Sequence, residues 1–152
     1  MSRADTAKEK FLQGYACSQA IALAFCDLVE LDEDALIRLT LPFGGGMGRL
    51  RLTCGAVSGM VTIIGLLFSK AENTAENKKE VYTIVQQLCT QFKTETGSLI
   101  CGELLSGANL NVKVGGQAEE RTEHYYKKRP CAELVYTATS ILEKYLIEKG
   151  IL

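Results

Sequence analysis

Six cysteines stand at positions 17, 26, 54, 89, 101 and 131 of a 152-residue chain, more than a core of this size needs as filler. At 47% hydrophobic residues the chain is too long and too apolar to be a small disulfide-stapled scaffold. The N-terminal run Met-Ser-Arg-Ala-Asp-Thr-Ala-Lys-Glu-Lys has no apolar centre, so no secretory signal is expected and a cytoplasmic, reducing compartment is the reading. In such a compartment, cysteines beyond packing needs are catalytic, redox-active or metal-binding.

Four of the six share a context. Cys17 follows Gly14-Tyr15-Ala16, Cys54 follows a glycine-rich loop and Thr53, Cys101 follows Gly97-Ser98, and Cys131 follows Pro130. Each context reads as a helix start, with Pro130 at the favoured first helical position. Helix starts present unpaired N–H groups and the positive end of the dipole. That setting stabilises a thiolate and lowers the thiol pKa from about 8.5. The thiolate is the nucleophile of disulfide exchange and also the form that binds metal.

The four positions are 37, 47 and 30 residues apart, and no Cys-x-x-Cys occurs, so a joint site must be assembled by tertiary packing. All three pairings of four cysteines stay open. The leading expectation is a thiol-redox protein, whose status as an enzyme is left open. In it, Cys54 attacks or shares a disulfide, and Cys17, Cys101 or Cys131 resolves it. Electron transfer through the same thiols is the allied form. A second reading is a binding module in which Cys17, Cys54, Cys101 and Cys131 ligate zinc, copper(I) or an iron–sulfur cluster. A third is a structural or interaction protein with buried free cysteines, since cysteine packs as a small hydrophobe. Cys26 and Cys89, deep inside their helices, read as filler. His124, the only histidine, lies in the polar run Glu123-His124-Tyr125-Tyr126 and reads as exposed rather than ligating.

The loop Gly44-Gly45-Gly46-Met47-Gly48 precedes Arg49 and Arg51. A glycine-rich turn before a helix can cradle an anion. No strand precedes this one and the lysine-threonine ending of a P-loop is missing, so tight turning against the next helix is the better reading. Arg49 or Arg51 beside Cys54 would favour its thiolate. Gly55, Gly59 and Gly65 make one side of that next helix small. Each costs up to ~1 kcal/mol against alanine in a helix interior, and close approach of another helix would offset the cost.

These thiols must be positioned by helices. Apolar spacing places a first helix over roughly Arg3 to Leu12 and a second over Cys17 to Val29. A short helix capped by Asp32 ends at Pro42. A buried helix runs from about Thr53 to Lys70 with Cys54, Val57, Val61, Ile64 and Phe68 on one stripe. Asn73 or Thr74 caps the next, Ala75 to Lys93, whose stripe is Val81, Val85, Leu88, Cys89 and Phe92. A short turn covers Cys101 to Leu105, and Ser106 to Gly116 reads as loop. Glu119 to Lys128 reads as a short exposed helix, and the last helix runs from Pro130 to before Gly150. Only Leu110 to Val114 hints weakly at a strand. The expected fold is all-α, one compact multi-helix bundle over residues 1–152.

Read together, Gly14 to Ala20, Phe43 to Gly48 with Cys54 to Gly59, Gly97 to Leu105, and Arg129 to Val135 form an ordered set. The set resembles the family named for its cysteine pattern, C_GCAxxG_C_C, whose members are regarded as redox-active. In this chain glycine follows the central cysteine, as Cys54-Gly55-Ala56, where the family label puts it before. The resemblance implies that Cys17, Cys54, Cys101 and Cys131 are the signature cysteines, that Cys26 and Cys89 lie outside the pattern, and that the role is redox or metal-related. It brings no substrate.

Charge and hydropathy exclude other classes. A net charge of -1 gives no basis for binding nucleic acid or an anionic membrane. The run Lys127-Lys128-Arg129 is offset by Glu119, Glu120 and Glu123 and reads as a solvated helix face. The most apolar stretch, Ala56 to Phe68, is too short to span a bilayer. The expected partners are a redox partner of unknown identity and, left open, further copies of the chain. The cofactor is none, or a cysteine-ligated metal or cluster.

Overall fold

A computed structural model describes residues 1–152. The chain forms eight helices and no strand. They are α1 (Arg3–Leu12), α2 (Cys17–Ala24), α3 (Glu33–Thr40), α4 (Gly55–Phe68), α5 (Ala75–Thr96), α6 (Cys101–Gly107), α7 (Glu123–Lys128) and α8 (Cys131–Glu148). Short polar side chains fix several starts. Ser2, Asp32, Thr74 and Thr122 each accept a backbone N–H three residues on, which satisfies donors that a helix start leaves unpaired.

Helix α4 is the centre of the bundle, with α2, α5 and α8 packed around it, while α1 lies along α8 and α2. Its apolar residues are buried on more than the single stripe read from the sequence: Ala56, Val57, Met60, Ile63 and Ile64 are all inside. Phe11, Phe25, Leu36, Leu88, Phe92, Leu142 and Leu146 complete one continuous core around them. No helix is long and apolar enough to cross a membrane.

The second helix ends earlier than the expected Val29. It stops at Ala24, and Cys26–Leu28 forms a separate 3-10 turn. The cause is Arg3, whose Nη1 donates to the Ala24 carbonyl at 2.7 Å and to the Asp27 carboxylate at 2.6 Å. The terminal carbonyl is thereby satisfied from outside the helix. Cys26 thus starts a half-buried turn rather than lying deep in a helix. The expected helix from Glu119 shortens to α7, and Pro130 is the cap before α8 rather than its first residue. Leu110 to Val114 is loop.

Close approach explains two of the three glycines in α4. A β-carbon at Gly59 would lie 2.7 Å from the Ser18 carbonyl oxygen, and one at Gly55 would lie 3.1 Å from Cys17 Cβ. At Gly65 the nearest atom is Ser69 Oγ at 3.9 Å, so nothing packs there. Gly59→Ala therefore destabilises by about 1–2 kcal/mol, overpacking of ~1–3 kcal/mol outweighing a propensity gain of up to ~1 kcal/mol. Gly65→Ala stabilises by about 0.5–1 kcal/mol. Urea unfolding of the two variants checks the opposite signs.

Candidate functional site

The four helix-start cysteines converge. Cys17, Cys101 and Cys131 are the first residues of α2, α6 and α8, and Cys54 is the cap of α4. A two-stranded clamp joins Cys54 to Cys101. The Cys54 N–H donates to the Leu99 carbonyl at 2.8 Å, and the Cys101 N–H donates to the Leu52 carbonyl at 2.6 Å. Thr53 and Ile100 form the isolated antiparallel bridge between them. Cys17 is placed by its neighbours. Ser18 Oγ donates to the Thr40 carbonyl at 2.6 Å, and Gln19 Nε2 donates to the Ile37 carbonyl at 3.0 Å, tying α2 to the end of α3.

All four thiols line one cavity of about 470 Å³, together with Arg49, Arg51, Arg121, Arg129 and Tyr125. Cys26 and Cys89 do not line it, and His124 is exposed. The site therefore gathers the four cysteines singled out by their helix-start context and omits the other two.

The floor of the cavity is the glycine loop. Gly45, Gly46, Met47, Gly48 and Arg49 all have φ between 57° and 73°, and Arg51 has φ 60°. A left-handed conformation costs a non-glycine residue roughly 1–2 kcal/mol. Met47, Arg49 and Arg51 bear that strain beside the thiols, where strained backbone is characteristic of functional sites. At Gly46 a β-carbon would lie 2.6 Å from Cys101 Cβ, so only glycine admits α6 this closely. The loop is tied to the polar stretch beyond α6: the Arg49 carbonyl accepts from the Gly115 N–H, Arg49 Nη1 donates to the Gln117 carbonyl, and Arg51 Nε donates to the Lys113 carbonyl at 3.1 Å.

Arginine placement departs from expectation. Arg51 serves Cys101 rather than Cys54, its Nη1 lying 3.8 Å from Cys101 Sγ. Arg129 does not face solvent with Lys127 and Lys128. Its side chain is only 7% exposed, its Nη2 lies 2.8 Å from Glu119, and it stacks over Tyr125. The compensating acids at 119, 120 and 123 suggested a solvated face, but a pair with one of them instead turned Arg129 inward. Arg121, unnoticed in the sequence, donates to the Phe11 and Tyr15 carbonyls, each at 3.2 Å, and packs on the Phe11 ring. The signal available for Arg129 was its position two residues before Cys131. Arg121 had none, because its anchors are carbonyls more than a hundred residues away.

Burial and charge compete at each sulfur. Although Cys54 makes no side-chain cap hydrogen bond, the backbone N–H groups of Ala56 and Val57 at the start of α4 favour its thiolate, the expected helix-start effect. Burial outweighs it and pushes this thiol up to about 12. Cys54 is therefore not the low-pKa thiol of the site. Burial also raises Cys101, against the opposing Arg51. Cys131 goes the other way. The neighbouring Cys17 thiol holds it below the ordinary thiol value, and Arg129, Arg121 and Arg51 add to this against the burial penalty. The neighbouring Cys131, with burial, holds Cys17 well above the ordinary value. The shifts at these two neighbours are opposite in sign, toward the anion at Cys131 and toward the protonated thiol at Cys17.

No three Cys, His, Asp or Glu side chains are grouped as metal ligands, so an all-cysteine centre would require the thiols to close together. What the helices build is a cavity of convergent thiols and guanidiniums. Residues 15–145 match the family described as "Putative redox-active protein (C_GCAxxG_C_C)", and the chain belongs to that family. No curated protein and no solved structure matches it.

Alkylation by iodoacetamide, followed residue by residue by mass spectrometry, should label Cys131 fastest near neutral pH and Cys54 slowest. The Cys131 rate should rise through a midpoint below that of a free thiol, because its thiolate persists to lower pH. Cys17→Ala removes the neighbouring thiol and should move that midpoint up; an unmoved midpoint would contradict the coupling.

Proposed function

We propose that the protein is a thiol–disulfide oxidoreductase in which Cys131 is the attacking thiolate and Cys17 the resolving thiol. The observation that supports this is the placement of both thiols in one cavity with Arg121 and Arg129, where each shifts the other's pKa and Cys131 is the one favoured as the anion. Cys131 Sγ attacks one sulfur of a substrate disulfide. A Cys131–substrate disulfide forms, the substrate S–S bond breaks, and the first substrate thiolate leaves. Cys17 then gives its proton to a departing thiolate, and its sulfur attacks Cys131 Sγ. The Cys17–Cys131 disulfide forms and the second substrate thiolate leaves. The substrate gains two electrons and the cysteine pair loses two; a dithiol donor restores the pair by the reverse exchange.

The coupling orders the steps. While Cys131 is a thiolate, its charge keeps the neighbouring Cys17 protonated. Once Cys131 is in a mixed disulfide that charge is gone, and Cys17 loses the largest contribution to its raised pKa. Cys54 and Cys101, both raised by burial, are bystanders to the first attack.

Convergence of all four thiols on one cavity supports a second reading, a metal or iron–sulfur centre held by Cys17, Cys54, Cys101 and Cys131. Metal analysis and visible absorbance of anaerobically purified protein separate the two, stoichiometric metal favouring the second.

Equilibration of the reduced protein across defined thiol–disulfide buffers tests the first reading. Peptide mapping should find a Cys17–Cys131 disulfide with a measurable potential. Cys131→Ala should lower the rate of disulfide reduction on the order of a hundredfold or more, as loss of a nucleophile does. Cys17→Ala should accumulate the mixed disulfide on Cys131. A pair that stays reduced across the whole series would overturn the assignment.

A further inference from the structure

The cavity carries more positive charge than its own acids balance. Four guanidiniums line it against a single carboxylate, Glu119, which pairs with Arg129. Arg49, Arg51 and Arg121 have no carboxylate within ion-pair distance. Their anchors are neutral main-chain carbonyls, which hold the side chains in place without cancelling the charge. Arg51 is only 8% exposed, and Arg49 Nε is buried with no hydrogen-bond partner. Burying a charge is costly unless an anion or a full set of hydrogen bonds compensates it. This pocket is cationic within a chain of net charge -1.

We infer that the cavity binds a low-molecular-weight disulfide bearing carboxylates, the carboxylates pairing with Arg49, Arg51 and Arg121 while the sulfurs meet Cys131. The inference rests on the exchange reading and names its substrate class. A volume of about 470 Å³ suits a small molecule, since small-ligand clefts run from roughly 300 to 1,000 Å³. The thiols lie within this cavity among the arginines, and the exposed residues Gly14, Gly116, Ala118 and Glu119 are also part of its lining. Guanidinium is the group suited to carboxylate, offering paired parallel donors. Held there, an anionic substrate places its S–S bond beside the one sulfur that is favoured as a thiolate. The exchange itself is the balanced two-step sequence given above, with two carboxylate thiols as products.

Three disulfides of similar length and different charge test the inference: 3,3′-dithiodipropionate (dianion), bis(2-hydroxyethyl) disulfide (neutral) and cystamine (dication). Their rates of oxidising the reduced full-length protein should fall in that order, with a spread of about tenfold or more, as a focused charge produces. Salt should compress the spread, since screening shortens from about 8 Å at physiological ionic strength to about 3 Å at 1 M. Arg49→Gln should narrow the ratio of dianion to dication rates. A readout independent of redox chemistry is calorimetric titration of the reduced protein with suberate, the all-carbon counterpart of the dianion, which should bind. Equal rates for the three disulfides, with no suberate binding, overturn the anionic class and leave exchange standing. Suberate binding without oxidation by any of the three overturns exchange, and with it the disulfide identity of the ligand.

Discussion

Everything at the site depends on backbones approaching more closely than a β-carbon allows. Gly46 admits Cys101, Gly55 admits Cys17, and Gly59 admits the Ser18 carbonyl, each at a distance that alanine would violate or crowd. Without these contacts α2, α4 and α6 could not bring their N-termini to one point. The glycines carry real costs, in helix propensity for α4 and in loop entropy before it. Those costs are offset by packing of α4 against α2 and by the Cys54–Leu99 and Cys101–Leu52 hydrogen bonds, which fix two thiol-bearing segments in register. The residues beside the cysteines in sequence, Ser18 and Gln19 among them, are thus anchors rather than reagents.

The extent of the fold legible in the sequence follows from where each signal is stored. Helices with strong periodicity, such as α8, or with a local cap as well, such as α1 and α5, could be placed because their determinants lie within or beside the helix. The early end of α2 could not, because Arg3 terminates it from the other end of the first helix. The convergence of Cys17, Cys54, Cys101 and Cys131 was suggested by a shared context, a helix start behind glycine or proline. Which thiol is favoured as the anion was not legible. That depends on burial, on the partner sulfur and on Arg121 and Arg129, and none of these is a property of the flanking residues. Arg129 shows why charge runs mislead: neighbouring acids can solvate a cation or can hold it inward, and only the packing decides.

The tension between burial and charge also separates the four thiols into roles. A helix start lowers a thiol pKa only while the sulfur keeps enough polar contact to be charged. At Cys54 the helix-start N–H groups of Ala56 and Val57 lower the pKa and still lose to desolvation. Cys101 has a guanidinium at 3.8 Å and is still raised. Cys131 differs by having a neighbouring thiol and several guanidiniums acting together, and only that sum reverses the sign. A protonated Cys17 is therefore part of what makes its partner reactive, and the pair cannot be understood one sulfur at a time.

The same reasoning bears on why the arginines are held by carbonyls. A guanidinium paired to a carboxylate shares its field with that partner, although Arg129, paired with Glu119, still helps hold Cys131 below the ordinary thiol value. One fixed by Lys113, Phe11 or Tyr15 carbonyls keeps its full charge and still has its hydrogen bonds largely satisfied. The buried Arg51 and the orphaned Nε of Arg49 would be liabilities in a purely structural pocket. They become intelligible if negative charge arrives from outside or develops on sulfur during exchange, since both are stabilised by cations already in position and needing no reorganisation. On that view the strained loop from Gly45 to Arg51 is the device that aims two guanidiniums into a cavity whose walls supply the thiols.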